Sequence, residues 1–238
     1  MSIKTQNDSL NSPLHMLKTI SSLPIGTGFL AFRDLGTIVN KYIKGVKALD
    51  FGCGAGRSSR ILKELGLNVI GVDTSIDMID QARNTSKDIN YFLIEKNCFK
   101  SLDDQFDLIF VSFVLMELSS KQEIKMLIKD LSNLLAENGK IILIVASDDL
   151  YNKDWLSIDT KFHSNSDKNS GEIVSVYLSD YGITVNDYLW KESDCEECFK
   201  QSNMLILEKL TPLGLSSDGK DWIDEYTNAP FVIYVLSK

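Results

Sequence analysis

Three glycines, Gly52, Gly54 and Gly56, stand at alternate positions directly after a short apolar segment, and this run constrains the fold more than any other feature. Residues 46–50 have the composition of a β-strand, and residues 57–65 have the apolar spacing of a helix. Glycine lets the backbone turn sharply between the two and pass close to a ligand. The first N–H groups of such a helix are free to bind an anion or a polar group. The run therefore predicts a strand, a ligand-binding turn and a helix in direct succession.

Strand-like and helix-like segments continue to alternate after this turn. The apolar run at residues 140–146 is uninterrupted, which is typical of a strand that is covered on both faces. Alternating units of this kind predict an α/β fold with a doubly wound, mostly parallel sheet. Strands are predicted near residues 68–72, 91–94, 106–111, 140–146, 204–207 and 231–236, and helices near residues 29–43, 75–83 and 193–201 and from residue 121 to a stop at Asn138-Gly139.

The alternation is interrupted after the fifth predicted strand. A polar, irregular stretch is followed by strand-like segments near residues 172–178 and 183–190, which a four-residue turn joins. We interpret residues 147–190 as an insertion that carries a β-hairpin lid and walls a ligand pocket, since ligands of open α/β sheets lie beyond the carboxyl ends of the strands. Residues 29–238 are then predicted to be a single domain, preceded by a tail or lid segment over residues 1–28.

Charge and cysteine content narrow the classes of partner. Lys and Arg total 25 and Asp and Glu total 33, so the net charge of −8 disfavours nucleic acid as a partner. No stretch approaches the ~20 apolar residues of a membrane span, and we expect a cytoplasmic protein with no membrane partner. Cys195 and Cys198 form a lone CxxC with no second cysteine or histidine pair to complete a zinc site, so no metal is expected. The sequence predicts no oligomeric state.

Asp73 narrows the kind of ligand. It lies 17 residues beyond Gly56, at the end of the next predicted strand, where a carboxylate can accept hydrogen bonds from both hydroxyls of a ribose. The glycine spacing is GxGxG, whereas the dinucleotide fingerprint is GxGxxG. The pattern therefore favours a cofactor that contains a nucleoside. A nicotinamide-dependent oxidoreductase is the alternative.

Several segments together resemble the class I S-adenosylmethionine-dependent methyltransferases. They are Leu49-Asp-Phe-Gly-Cys-Gly-Ala-Gly56, Val69-Ile-Gly-Val-Asp-Thr-Ser75 with Met78, Phe106-Asp-Leu-Ile-Phe-Val111, Val114-Leu-Met-Glu-Leu118 and residues 134–142. The resemblance implies a seven-stranded Rossmann-like methyltransferase sheet. It also implies transfer of a methyl group from S-adenosyl-L-methionine to an O, N or C nucleophile of a small molecule, with S-adenosyl-L-homocysteine as product. A non-catalytic regulatory protein that binds S-adenosylmethionine is a second alternative.

The resemblance also implies cofactor contacts. The glycine turn would line the methionine part, Asp50 its amino group, Arg33 its carboxylate, and Asp73 the ribose. The two residues after the third strand would lie near the adenine amine, and those after the fourth strand near the methyl group. The implied contacts are Arg33, Asp50, Gly52, Cys53, Gly54, Gly56, Asp73, Thr74, Ser75, Met78, Asn97, Cys98, Ser112 and Phe113.

The catalytic base is predicted on weaker grounds. His163 lies in the insertion and is the histidine outside the N-terminal region, and histidine titrates near physiological pH. The alternative interpretation is a solvated loop histidine among Ser, Asn and Asp residues. The Asn/Asp-Pro-Pro-Tyr motif of enzymes that methylate amino groups of bases is absent from the sequence. The acceptor is therefore predicted to be a small molecule.

Overall fold

The computed structural model describes residues 25–95 and 105–238. Within them a seven-stranded sheet has the strand order β3-β2-β1-β4-β5-β10-β9 and a smaller sheet has the order β6-β7-β8. The strands of the large sheet are β1 (Lys47–Phe51), β2 (Asn68–Asp73), β3 (Asn90–Leu93), β4 (Phe106–Ser112), β5 (Leu135–Ala146), β9 (Leu205–Leu210) and β10 (Phe231–Ser237). The strands of the small sheet are β6 (Ile158–Asp159), β7 (Ile173–Leu178) and β8 (Ile183–Tyr188). The helices are α1 (Leu35–Tyr42), α2 (Arg57–Glu64), α3 (Ile76–Thr85), α4 (Lys121–Asn133) and α5 (Glu192–Gln201).

The first five strands run parallel. Strand β10 then pairs with β5, and β9 pairs with β10, both in antiparallel orientation. This arrangement confirms the predicted doubly wound, mostly parallel seven-stranded sheet. Its central strands β1, β4, β5 and β10 are mostly buried on both faces, because helices cover both sides. In β5, Ile142 and Ile144 pack into one apolar layer, whereas Ile141 and Leu143 pack into the other. The uninterrupted apolar run of this strand follows from that double coverage.

The small antiparallel sheet lies between β5 and α5 in the chain, where the sequence predicted a hairpin. Strands β7 and β8 pair with Val176 opposite Val185 and Val174 opposite Asp187. The two-residue strand β6 adds to β7 and was not predicted, because two residues are too few to show a period.

The region before β1 differs in detail from the predicted helix at residues 29–43. A 3-10 turn over Gly26–Ala31 precedes α1, and the two are separate elements. The division of the chain at residue 28 stays a prediction, since residues 1–24 lie outside the described part. In residues 25–95 and 105–238, no helix combines the length and the apolar character that crossing a bilayer requires.

Candidate active site

A cavity of about 340 Å³ opens where the large sheet faces the small one. Its floor is formed by the segments that follow β1, β2 and β4, at the carboxyl edge of the parallel strands, where open α/β sheets bind ligands. Its opposite wall is formed by β7 and β8. Nine residues predicted to bind the cofactor line it: Gly52, Cys53, Gly54, Asp73, Thr74, Ser75, Met78, Ser112 and Phe113.

The turn after β1 is tied to the neighbouring strand by its own backbone. The N–H groups of Gly52 and Cys53 both donate to the carbonyl of Val72, at 2.9 and 3.0 Å. Gly52 has φ +71°, and a Cβ at this position would run into the side chain of Val114. Glycine is therefore required there both by backbone conformation and by space. Burial raises the pKa of the Cys53 thiol, so this cysteine stays a neutral thiol in the wall.

Asp73 joins the glycine turn to the start of α3. One carboxylate oxygen accepts from the N–H of Gly54 and the other from the N–H of Ser75, both at 2.8 Å. Burial raises the pKa of Asp73, while these backbone hydrogen bonds act in the opposite direction. The Ser75 hydroxyl caps α3 by accepting from the N–H of Met78 at 3.4 Å. The carboxylate is thus fixed in the cavity wall, with further lone pairs available for hydroxyl donors.

Asp50 is completely buried in β1 behind the turn and does not line the cavity. One of its oxygens accepts from the hydroxyls of Ser58, at 2.7 Å, and Ser59. The other, Oδ1, has no hydrogen-bond partner within the described residues. Burial raises the pKa of Asp50 to about 6, against the effect of the two serine hydroxyls. Ser58, which donates to Asp50, does line the cavity.

Phe113 marks the junction between the two halves of the cavity. It has φ +61°, a left-handed backbone conformation that is costly for a bulky residue, and its N–H donates to the carbonyl of Ile144 at 2.9 Å. Its ring packs edge-on against Phe231, with centroids 5.2 Å apart, and against Phe32 at 6.4 Å. The strained backbone therefore holds an aromatic ring between the glycine turn and the small sheet.

Strands β7 and β8 contribute three apolar side chains and one carboxylate to the wall opposite the glycine turn. Val176, Leu178 and Val185 line it from β7 and β8. Asp187 lies on the same face of β8 as Val185 and is only 6 % exposed. Burial, and secondarily the charge of Glu117, raise the pKa of Asp187 to about 7. Sequence analysis missed this residue, although the alternation of β8 puts it in register with Ile183 and Val185 on the buried face.

Arg57 is a second cavity residue that the sequence did not single out. It is the first residue of α2, directly after the glycine turn. Its Nη1 donates to the hydroxyl of Tyr181 at 2.9 Å, and its guanidinium lies 5.3 Å from the ring centroid of Phe32. A cation placed there can pair with the carboxylate of a ligand in the glycine turn.

Arg33 was predicted to play that role, and the structure instead places it outside the cavity lining. Its guanidinium forms a two-pronged pair with Asp34, at 2.9 and 2.7 Å, and also contacts Asp218 and the carbonyl of Leu213. The local pair with Asp34 and the distant pair with Asp218 satisfy its donors on the far side of the turn.

Gly56 is likewise outside the lining. It caps α2 with φ +81°, and a Cβ there would meet the Tyr91 hydroxyl at 2.5 Å, so its requirement is structural.

His163 is not brought to the cavity either. It begins the short 3-10 turn His163–Asn165 and is exposed to solvent. The turn is held by Asn165, whose amide donates to the carbonyls of Thr160 and Ser175. The structure therefore matches the alternative interpretation of a surface histidine. Asn97 and Cys98 lie outside the described residues.

The chain is similar to known methyltransferases in sequence and in fold. Residues 48–139 match a family described as "Methyltransferase domain". A malonyl-[acyl-carrier protein] O-methyltransferase of Pseudescherichia vulneris is 25 % identical over 141 residues, which are 57 % of this chain and 55 % of that protein. A ubiquinone biosynthesis O-methyltransferase of Pelagibacter ubique is 31 % identical over 112 residues, covering 45 % of this chain and 44 % of its own.

A crystal structure of an S-adenosylmethionine-dependent methyltransferase from Clostridium acetobutylicum superposes with a TM-score of 0.64 at 17 % identity, covering 90 % of this chain and 92 % of that one. At this identity the likeness concerns the fold. The chain spans about half the length of the curated relatives that it matches. The part that matches the family model, residues 48–139, includes the glycine turn, β2 with Asp73, and β4, and it ends before the small sheet.

Proposed function

We propose that this chain, whose seven-stranded domain is that of a class I S-adenosylmethionine-dependent methyltransferase, transfers a methyl group from S-adenosylmethionine to a small-molecule acceptor. The relatives named above carry out O-methylation according to their names, and those activities are not assigned to this chain. The single observation that carries the proposal is the composition of the cavity. One side has the glycine turn and the fixed carboxylate of Asp73, and the other side is an apolar wall.

The residues present fit S-adenosylmethionine. Asp73 offers carboxylate lone pairs for the ribose hydroxyls, and Thr74, Ser75 and Met78 line the cavity beside it. Arg57 suits the carboxylate of the methionine part, and Asp50, which lies behind the lining, stays a predicted partner of its ammonium group. When bound, S-adenosylmethionine supplies an activated methyl group on a positively charged sulfur.

The protein's own contribution is to position the acceptor and to enclose the reacting groups. Ser112 and Phe113 border the space between the two halves, and the aromatic side chains of Phe32 and Phe231 exclude water from it. Holding a nucleophile in line with a reactive group can supply roughly 7–11 kcal/mol of a barrier. The net charge of −8 supports an acceptor other than nucleic acid. The cytoplasm stays the predicted compartment.

Calorimetry on the purified protein tests the cofactor assignment. We expect saturable binding of S-adenosylmethionine and S-adenosylhomocysteine. Asp73→Ala should weaken it about a hundredfold or more, because it removes two hydrogen bonds to a charged group, each worth about 1.5–3 kcal/mol. Asp80→Ala, which removes an exposed carboxylate of α3 outside the cavity, is the matched control and should bind like the parent protein. Binding of a nicotinamide dinucleotide in preference to S-adenosylmethionine would contradict the proposal.

A further inference from the structure

Asp187 is a buried carboxylate in the wall of the cavity. It is 6 % exposed, it lines the cavity, and within the described residues its carboxylate forms no side-chain hydrogen bond or ion pair. Burying an ionisable group without a partner is costly, and such groups concentrate at sites where a ligand supplies the missing partner. Strand β8 does not itself require a carboxylate at this position, since the neighbouring inward-facing residue, Val185, is apolar.

The charges around Asp187 indicate the sign of that partner. Glu117, in the 3-10 turn Leu115–Glu117 after β4, also lines the cavity and raises the pKa of Asp187 by its negative charge. Tyr151 lies close enough for the charge of Asp187 to raise the pKa of its phenol, and its buried hydroxyl has no hydrogen-bond partner within the described residues. Two acidic groups therefore face this part of the cavity, with a neutral phenol beside them. A carboxylate ligand would be repelled by Asp187, whereas a cation would neutralise it.

The remaining surface of the cavity suits an apolar molecule that carries such a cation. Phe113 and Phe231 present aromatic rings, and Val176, Leu178 and Val185 present aliphatic side chains. The faces of aromatic rings attract ammonium groups. Arg57, which lines the cavity as well, already contacts Tyr181 and Phe32 near the glycine turn.

We propose that the acceptor is an apolar molecule carrying a basic amine, and that Asp187 binds its ammonium group and receives the proton that the nitrogen must lose to become a nucleophile. This inference rests on the proposed function. An N–H bond of the ammonium breaks and an O–H bond forms on the Asp187 carboxylate, so a charged pair becomes a neutral amine and a neutral acid. The nitrogen lone pair then forms the N–CH₃ bond as the S–CH₃ bond of the donor breaks and its sulfur becomes neutral. The methylated nitrogen carries the positive charge, and Asp187 returns its proton to solvent.

The direction of this proton transfer agrees with the surroundings. A site of low polarity disfavours charged forms, and it therefore lowers the pKa of an amine while it raises that of a carboxyl group. The pKa of Asp187, near 7, already reflects this effect. An aliphatic alcohol would instead have to give up a proton to leave an alkoxide, which the same apolar wall makes less favourable. These opposing effects favour an amine over an alcohol as the acceptor group.

Three probes with one apolar part, 4-phenylbutylamine, 4-phenylbutanol and 4-phenylbutyrate, test this inference by calorimetry on the complex with S-adenosylhomocysteine. We expect the amine to bind about tenfold or more tightly than the other two, the gain typical of one charge-assisted hydrogen bond. Asp187→Asn should remove that preference and leave the binding of the alcohol within about twofold. Asp159→Asn, which makes the same charge change in the small sheet but outside the cavity, is the control and should keep the preference.

The outcomes separate the two proposals. Failure to bind S-adenosylhomocysteine would overturn the proposed function itself. Binding of S-adenosylhomocysteine together with equal affinities for the probes, a preference for the carboxylate, no binding of the amine at 1 mM, or an unchanged preference in Asp187→Asn would overturn the amine inference alone. In the parent protein the preference for the amine should also weaken below a pH of about 7, because Asp187 is then protonated, and the variant should not show this dependence.

Discussion

At the scale of single residues, Asp187 lowers the stability of the folded protein at the same position where we propose that it binds a ligand. A buried carboxylate without a partner destabilises the folded protein whenever it is charged. Because its pKa is higher in the folded protein than in the unfolded chain, the folded protein binds more protons between pH about 4 and 7. Stability contributed by this group therefore falls as the pH rises through that window, and it is lowest above pH 7.

Replacing Asp187 with asparagine should consequently stabilise the protein at high pH. The relevant quantity is the free energy of unfolding of Asp187→Asn minus that of the parent protein. We expect this difference to be greater at pH 8 than at pH 4 by on the order of 3 kcal/mol. Urea denaturation at the two pH values measures it, and Asp159→Asn again serves as control, since its carboxylate is exposed. A variant that is less stable than the parent at pH 8 would show that the carboxylate has a structural role.

The sequence predicted site residues where their role is local. The glycine turn and Asp73 are within one strand-turn-helix unit and the next strand, so their spacing alone brings them together. The sequence could not show that Arg33 lies outside the cavity, because its partner Asp218 is 185 residues away in the chain. Asp187 could have been found, since an acidic residue in register with Ile183 and Val185 on an otherwise apolar strand face is unusual.

At the scale of elements, a buried polar network joins three segments that are distant in sequence. Glu225 accepts from the Thr27 hydroxyl at 2.7 Å and from the N–H of Leu156 at 2.8 Å. Thr27 also accepts from the N–H of Ser157 and donates its own N–H to the Ser157 hydroxyl. Thr27 and Glu225 are completely buried. The network therefore fixes the 3-10 turn Gly26–Ala31 and the turn Asp224–Tyr226 to the segment that enters β6.

Removing one hydroxyl from this network should be costly. Thr27→Val keeps the shape of the side chain. It leaves the N–H of Ser157 without its acceptor and removes one of the two donors to Glu225 Oε1. We expect a loss of about 1–3 kcal/mol in the free energy of unfolding, measured with urea. Thr184→Val, on the exposed face of β8, should change it by no more than about 0.5 kcal/mol. Equal effects of the two substitutions would mean that the network does not hold these segments.

The elements themselves were predicted well wherever a period was long enough to read. Strand β4 and the start of α4 match their predicted bounds, since apolar periodicity and the Ser120 cap mark them locally, whereas α4 ends at Asn133 and β5 begins at Leu135, within residues predicted to be the end of that helix. The 3-10 turn before α1 was merged into a helix, because its form depends on contacts with Ser157 and Glu225 far along the chain. Such long-range polar contacts do not produce a periodic pattern in the amino-acid sequence.

At the scale of the whole molecule, the two sheets share the cavity, and this bears on the prediction of a single domain. Trp155, Trp190 and Trp222 are all buried, and all lie outside the strands of the large sheet. Tryptophan fluorescence therefore reports on the surrounding segments, whereas far-ultraviolet circular dichroism is weighted toward the helices and the large sheet. The two signals make the cooperativity between these parts measurable.

We expect the two signals to change together on heating, with and without S-adenosylhomocysteine. Ligand at a hundredfold excess over Kd should add about 2.7 kcal/mol of stability and raise both midpoints by roughly 5–10 °C. Coincident transitions are the mark of one cooperative unit. An earlier fluorescence transition, or a ligand shift confined to circular dichroism, would divide the chain into independently unfolding parts.

The wall that the small sheet contributes to the cavity is encoded in one uninterrupted stretch, from the end of β5 to the start of α5, while the glycine turn and Asp73 are encoded upstream of it. The large sheet keeps its register across this junction, because β5 pairs with β10 through to Ala146 opposite Phe231. A gene can therefore exchange or rewrite this stretch without altering the strands that carry the glycine turn and Asp73. Duplicated copies of such a gene could diverge in acceptor by changes confined to about forty codons, and a chimaera that carries only this stretch from a relative should inherit the acceptor of that relative.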